Sequence, residues 1–161
     1  MIRKLNLFFL TLFKIGKIKY APGTIASLVT CLVFILLINI FDILVLFFIT
    51  LIIILYFFIA INNTYDEFDT NDPQEIVIDE VVGQMLPLLS IPIYETLYPL
   101  PQLYYCVAAF VLFRIFDIWK PFPINYIDNH MEGALGIILD DILAGAYTII
   151  ILTMLFLFFG S

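Results

Sequence analysis

The chain has 161 residues, of which 63% are hydrophobic, and its mean hydropathy is +1.10. Soluble domains are close to half apolar, so the excess predicts contact with lipid. Fourteen acids against seven bases give a net charge of −7. This balance argues against nucleic acid as a partner, because duplex binding needs a basic surface. Acids this scarce in so apolar a chain favour cation binding instead.

The first twenty residues combine a short apolar run with five of the seven bases: Arg3, Lys4, Lys14, Lys17 and Lys19. No small-residue cleavage site follows, which distinguishes the segment from a signal peptide. We predict an interfacial segment over residues 1–20 that stays on the protein. The next residues, Ala21-Pro22-Gly23-Thr24, are typical of a turn and a helix start, with Thr24 and Ser27 as candidate caps.

Five apolar stretches follow, and each is long enough to cross a hydrocarbon core of about 30 Å. They cover Ile25–Phe41, Ile43–Ile61, Ile76–Ile93, Leu103–Trp119 and Ile137–Phe159. The polar segments between them, Asn62–Glu75, Tyr94–Gln102 and Lys120–Gly136, are predicted loops. We therefore predict an all-α polytopic membrane bundle of four to five spans, with residues 1–161 forming a single membrane domain and residues 21–159 the bundle itself.

The distribution of bases predicts the orientation of these spans, since Lys and Arg near span ends favour the cytoplasmic side. The N-terminal bases place the N-terminus inside. Five crossings then put all seven bases on the cytoplasmic side. Of the fourteen acids only Asp42 and Glu95 fall outside, which leaves twelve on the same side as the bases.

Carboxylates recur in or beside three of the predicted spans: Asp79, Glu80, Asp117, Asp140 and Asp141. A carboxylate inside a span is costly and needs a partner or a water-filled site. A divalent cation would resolve the repulsion among them, and Mg²⁺ takes carboxylate oxygens together with water and substrate phosphate. We predict that the five surround one Mg²⁺ site. The alternative is that these acids only mark where spans meet water. That would explain a single aspartate better than it explains two adjacent pairs.

Arg114 and Lys120 are the two bases beyond the N-terminal segment. With Asp117 they are spaced i, i+3 and i+6, which a continuous helix would place on one side. A guanidinium and an ammonium both bind phosphate. The alternatives are that Arg114 pairs with Asp117 and that Lys120 is an interfacial anchor. Since nucleotide-binding loops and aspartyl-phosphate motifs are missing from the sequence, metal-assisted chemistry on a phosphorylated substrate remains.

Four segments carry a family resemblance: Ala21-Pro22-Gly23-Thr24 with Ser27-Leu28, Ile76–Gly83, Phe113–Ile124 and Gly136–Gly145. In order and spacing, from Ala21 to about Tyr147, they resemble the phosphatidylglycerophosphatase A family. The FRxxDxxKPxPI block within Phe113–Ile124 is the most specific of them.

The resemblance implies an Mg²⁺-dependent enzyme of the bacterial inner membrane that hydrolyses phosphatidylglycerophosphate to phosphatidylglycerol on the cytoplasmic face. It implies catalytic roles for Asp79, Asp117, Asp140 and Asp141, and substrate binding by Thr24, Arg114 and Lys120. Both covalent attack by an aspartate and direct attack by water fit these residues.

Two other classes of function compete with this interpretation. A small cation transporter or channel also carries intramembrane acids, but it predicts them near mid-span or at both faces. A membrane scaffold without catalysis leaves the acid pairs and Arg114 without a purpose.

Overall fold

The protein is described here from a computed structural model that covers residues 2–64 and 74–159, excluding the side chain of Phe159. Over these ranges the chain is helical and forms no strand. The helices are α1 (Ile2–Leu10), α2 (Pro22–Ile38), α3 (Ile43–Asn62), α4 (Ile78–Leu89), α5 (Ile91–Leu97), α6 (Gln102–Trp119), α7 (Ile124–His130) and α8 (Gly133–Phe159). The predicted all-α membrane bundle is confirmed. Most of the predicted loop Asn62–Glu75 lies outside the described residues.

Within the described residues, three helices are long and apolar enough to cross a membrane: α3, α6 and α8. They correspond to the second, fourth and fifth predicted spans. Large apolar side chains stay exposed along α3, among them Leu44, Phe48, Ile52 and Ile59, as expected of a lipid-facing surface. Helix α2 is shorter, with 17 residues, and rises about 26 Å at 1.5 Å per residue.

The third predicted span, Ile76–Ile93, is not one helix. It divides into α4 and α5, and the 12 residues of α4 rise only about 18 Å, too short to cross the core. The division follows Pro87, whose ring removes a backbone donor, and Ser90, whose hydroxyl bonds the Pro87 carbonyl at 2.6 Å. Tyr94–Leu97 was predicted as loop but belongs to α5. Most of α4 is buried inside the bundle.

Helix α4 packs so closely against α8 that the backbones of the two helices are in contact. A Cβ on Gly83 would lie 2.6 Å from the backbone oxygen of Asp141, and one on Gly145 would lie 2.5 Å from the oxygen of Gly83. Small residues allow such close helix approach in membranes. The two glycines therefore bring the acidic turns of both helices together.

Helix α8 begins earlier than predicted. The predicted loop Lys120–Gly136 contains α7 and the first turn of α8, because Ala134 and Ile137 are apolar and bury against the core. Asp140 is therefore the eighth residue of a helix that starts at Gly133. The predicted span Ile137–Phe159 would place Asp140 in the first turn of its helix, where the N-terminal dipole acts. That placement is wrong, because α8 starts at Gly133.

The N-terminal segment docks on the bundle. The Tyr56 hydroxyl of α3 donates to Asn6 Oδ1 of α1 at 2.9 Å, and the Tyr56 ring packs edge-on against Phe9. The backbone N–H of Val77 donates to the Leu10 oxygen at 3.1 Å. These contacts tie α1 to α3 and to the start of α4.

Candidate active site

One cavity of about 420 Å³ lies where α2 and α4 begin and α6 ends. Every residue for which the sequence predicts a role lines it: Thr24, Asp79, Glu80, Arg114, Asp117, Lys120, Asp140 and Asp141. They come from α2, α4, α6, α8 and the residue after α6. The fold thus gathers residues far apart in sequence around a single space, while their individual roles stay predictions.

Three of the aspartates that line this cavity are buried. Asp79, Asp140 and Asp141 are 6%, 7% and 3% exposed. Asp79 Oδ1 accepts the Glu80 backbone N–H at 3.0 Å, and Asp140 Oδ1 accepts that of Asp141 at 3.0 Å. Burial of like charges is unfavourable unless bases, protons or a cation compensate them.

Arg114 supplies part of that compensation. Its Nη1 lies 2.7 Å from Asp117 Oδ2, which is the i,i+3 pair that the spacing predicts, and 3.5 Å from both Glu80 Oε1 and Ser27 Oγ. The Glu80 carboxylate packs on Gly23, where an added Cβ would lie 1.5 Å from Oε1. The start of α2 therefore needs glycine to admit Glu80 beside Arg114.

Thr24 and Ser27 were the predicted caps of α2, but no side chain caps its start. Its N-cap is Ala21, in the left-handed region at φ 46°, and Pro22 occupies the first turn. Thr24 lies inside the helix and lines the cavity. The Ser27 hydroxyl donates to the Gly23 carbonyl at 3.0 Å, so it serves no cap either.

Lys120 reaches the aspartates by leaving its helix. Helix α6 ends at Trp119, and Lys120 adopts φ 46°, so it does not continue the face of Arg114 and Asp117. Its Nζ donates to Asp140 Oδ2 at 2.8 Å and also to Asp128 of α7. Burial by itself lowers the pKa of Lys120, but these two hydrogen bonds outweigh it and raise the pKa above its ordinary value. Lys120 is therefore a cation at neutral pH.

Sequence reasoning missed Asp128 as a partner of the site. It gave no periodic signal, because α7 lies in a segment whose composition predicts a loop. Lys19 of the N-terminal segment and Gln74 also line the cavity. The spacing of charges along single helices could not reveal residues that arrive from neighbouring segments.

The donor set is compatible with Mg²⁺. Asp141 Oδ1 is buried and accepts no hydrogen bond from any residue in the described ranges. Across those same ranges, no three acidic, histidine or cysteine side chains are already arranged to hold a metal ion. Mg²⁺ usually takes one or two carboxylates and completes its shell with water and phosphate oxygens, so it needs no preformed protein cage.

The fold and the cavity define the class of protein: a helical membrane protein with buried carboxylates and the bases Lys19, Arg114 and Lys120 around a cavity at one end of the bundle. The chain belongs to the Phosphatidylglycerophosphatase A family, whose sequence profile matches residues 8–156. That range includes every residue of the cavity named above.

Individual relatives are similar over most of the chain. A Phosphatidylglycerophosphatase A of Haemophilus influenzae is 35% identical over 86% of this chain and 81% of its own. A Bacteroides thetaiotaomicron protein, provisionally named phosphatidylinositol-3-phosphatase, is 35% identical over 88% of this chain and 87% of its own. The Phosphatidylglycerophosphatase A of Escherichia coli is 36% identical over 52% of this chain and 45% of its own. No solved structure matches.

Proposed function

We propose that this protein hydrolyses phosphatidylglycerophosphate to phosphatidylglycerol and phosphate. The observation that carries the proposal is the meeting of five carboxylates with Arg114 and Lys120 at one cavity of a membrane bundle, in a chain of this family. An ion channel would need charges along a path through the bundle. Helix α3, by contrast, contains no charged residue, and the acids of α4, α6 and α8 lie around the one cavity.

The position of the cavity suits a lipid with a terminal phosphomonoester. Ile118 lines the cavity and is 71% exposed, so apolar surface continues from the outside of the bundle to the cavity mouth. The acyl chains can stay beside α6 in the bilayer while the headgroup enters. A lipid that had to leave the bilayer completely would lose the contact of its acyl chains with this apolar surface.

The chemistry divides among the cavity side chains. Arg114 and Lys120 bind the phosphate oxygens and stabilise the negative charge that develops on them. The Thr24 hydroxyl also binds the substrate. The buried aspartates Asp79, Asp140 and Asp141, together with Asp117, provide the nucleophile or the base for an attacking water. Bound Mg²⁺, held by a subset of these and Glu80, would neutralise phosphate charge and lower the pKa of a bound water.

The orientation that we propose places this cavity on the cytoplasmic side of the bacterial inner membrane. Two features support it: the predicted topology places all seven bases on one side of the membrane, and the N-terminal segment that carries five of them contributes Lys19 to the cavity. Positive residues near span ends favour the cytoplasm.

Phosphate release from purified protein tests the reaction. We expect Mg²⁺-dependent release from phosphatidylglycerophosphate in mixed micelles, faster than from phosphatidate or phosphatidylinositol 3-phosphate, and loss of release with excess EDTA. Preference for phosphatidylinositol 3-phosphate would give this protein the specificity named for its Bacteroides relative. Release that is unchanged by EDTA would rule out the metal.

Replacement of Arg114 separates phosphate binding from neutralisation of Asp117. We expect the double variant Arg114→Gln/Asp117→Asn to lose about 10²-fold or more in kcat, the scale for removal of a charge-stabilising donor. Arg114→Lys should also lose rate, because an ammonium cannot form the bidentate contact. Arg3→Gln, an exposed change, is the control. Near-normal turnover in the double variant would show that Arg114 only balances Asp117.

Cysteine labelling in intact cells tests the orientation. The native Cys31 and Cys106 are buried, so background labelling should be low. We expect Asn129→Cys in α7 to be protected from a membrane-impermeant thiol reagent and Thr96→Cys in α5 to react. The reverse pattern would invert the topology. Asp69, a position in the other predicted cytoplasmic loop, lies outside the described residues.

A further inference from the structure

Gln84 is a buried amide for which the chemistry above has no use. It lies in the middle of α4 with none of its surface exposed, and neither its Oε1 nor its Nε2 makes a hydrogen bond with any residue in the described ranges. An amide buried without partners is strongly unfavourable compared with an apolar side chain of the same size. A side chain retained at such a cost calls for a function.

Gln84 lies on α4 one helical turn from a residue that contacts Arg114. Gln84 follows Glu80 by one helical turn, on the same face and about 6 Å deeper into the bundle. Glu80 contacts both Gly23 of α2 and Arg114. Arg114 also reaches Ser27, which lies one turn beyond Gly23. The guanidinium thus contacts the residue one turn before Gln84 on α4 and a residue one turn beyond Gly23 on α2.

Arg114 likewise has a buried polar atom that makes no hydrogen bond in the described part of the chain. Its Nη1 is occupied by Asp117 and Glu80, whereas its Nε is buried and donates to no residue in the described part of the chain. To present its fork to a substrate phosphate, the guanidinium must turn away from Asp117. A buried acceptor one turn below Glu80 can hold Nε–H in that turned orientation.

We propose that Gln84 is a positioning residue for Arg114, its amide oxygen accepting the Arg114 Nε–H bond while the Nη groups bind the phosphate of the lipid substrate. This rests on the proposed function for the identity of the lipid, and on the two buried groups left without hydrogen bonds for the pairing of the side chains. Gln84 does not touch the substrate. It fixes the direction of the guanidinium, as supporting groups around binding residues commonly do, at a cost of about 10- to 100-fold in activity or affinity when removed.

The test replaces Gln84 by Met, which is close in shape and has no strong hydrogen-bonding group, and in parallel by Leu. Two readouts are taken on the full chain in detergent: kcat and KM for the lipid phosphate, and the rise in unfolding temperature produced by inorganic phosphate. Met85→Leu, which exchanges one buried apolar side chain for another on the same turn, is the matched control for a change of side-chain shape in the core.

We expect Gln84→Met to unfold at the same temperature as the wild type or higher without phosphate, because an unpaired amide is removed. Its kcat/KM should fall about 10- to 100-fold, and its phosphate-induced shift should shrink. In an Arg114→Lys background, which has charge but no Nε–H, the same change should cost less than about twofold, since coupled residues are non-additive.

Two results would overturn the proposal. One is a Gln84→Met protein with wild-type kcat/KM and a wild-type phosphate shift. The other is an equal loss in the wild-type and Arg114→Lys backgrounds, which would show that Gln84 acts through another group such as Asp141. Failure of the wild type to hydrolyse any lipid phosphate would instead refute the proposed function. The rise in unfolding temperature produced by phosphate would still test whether Gln84 positions Arg114.

Discussion

The burial of like-charged carboxylates at one end of an apolar bundle is the constraint on which the rest of the structure depends. Glycines at the α4–α8 contact hold Asp141 against Gly83, and the cavity is lined by five acids but only two bases of the family's sequence blocks, Arg114 and Lys120. In a low-dielectric setting such an excess of negative charge raises the energy of the empty site. We propose that the same excess attracts a divalent cation, which in turn would hold a phosphate that the acids alone would repel.

The short helix α4 is what makes this arrangement compatible with a bilayer. A helix that crossed the membrane alone would expose part of its length to lipid, whereas the 12 residues of α4 are mostly enclosed by other helices. Broken helices are tolerated at membrane depth where they are buried in protein or line a cavity. The break after Pro87 ends α4 inside the bundle, and α5 follows it. Buried polar groups such as Gln84 are therefore surrounded by protein and not by acyl chains.

Long apolar helices and charged residues could be predicted from the sequence because each has a strong local signal. Helices α3, α6 and α8 follow from uninterrupted hydropathy, and the cavity residues follow from the cost of charges within spans. The division of Ile76–Ile93 was missed because its apolar composition is continuous across Pro87. The early start of α8 was missed because Gly133–Gly136 borders a polar segment, although its apolar side chains bury.

Contacts between elements could not be predicted in this way. The left-handed turn at Lys120 sends its side chain to Asp140 and Asp128, and nothing in the spacing along α6 indicates it. The close approach of Glu80 to Gly23 likewise exists only once α2 and α4 are side by side. Sequence reasoning found the five carboxylates, Arg114 and Lys120 from their chemistry and Thr24 from the family resemblance, and the fold supplied their partners.

The most direct measurement of the central claim is the effect of Asp141→Asn on phosphate release and on unfolding temperature in the same preparation, with the exposed Asp42→Asn as control. If the buried carboxylates are kept for catalysis at the expense of stability, Asp141→Asn should abolish phosphate release. Without Mg²⁺ it should unfold at an equal or higher temperature, and Mg²⁺ should stabilise it less than the wild type. Full activity in Asp141→Asn, or a large loss of stability with unchanged Mg²⁺ response, would contradict the account.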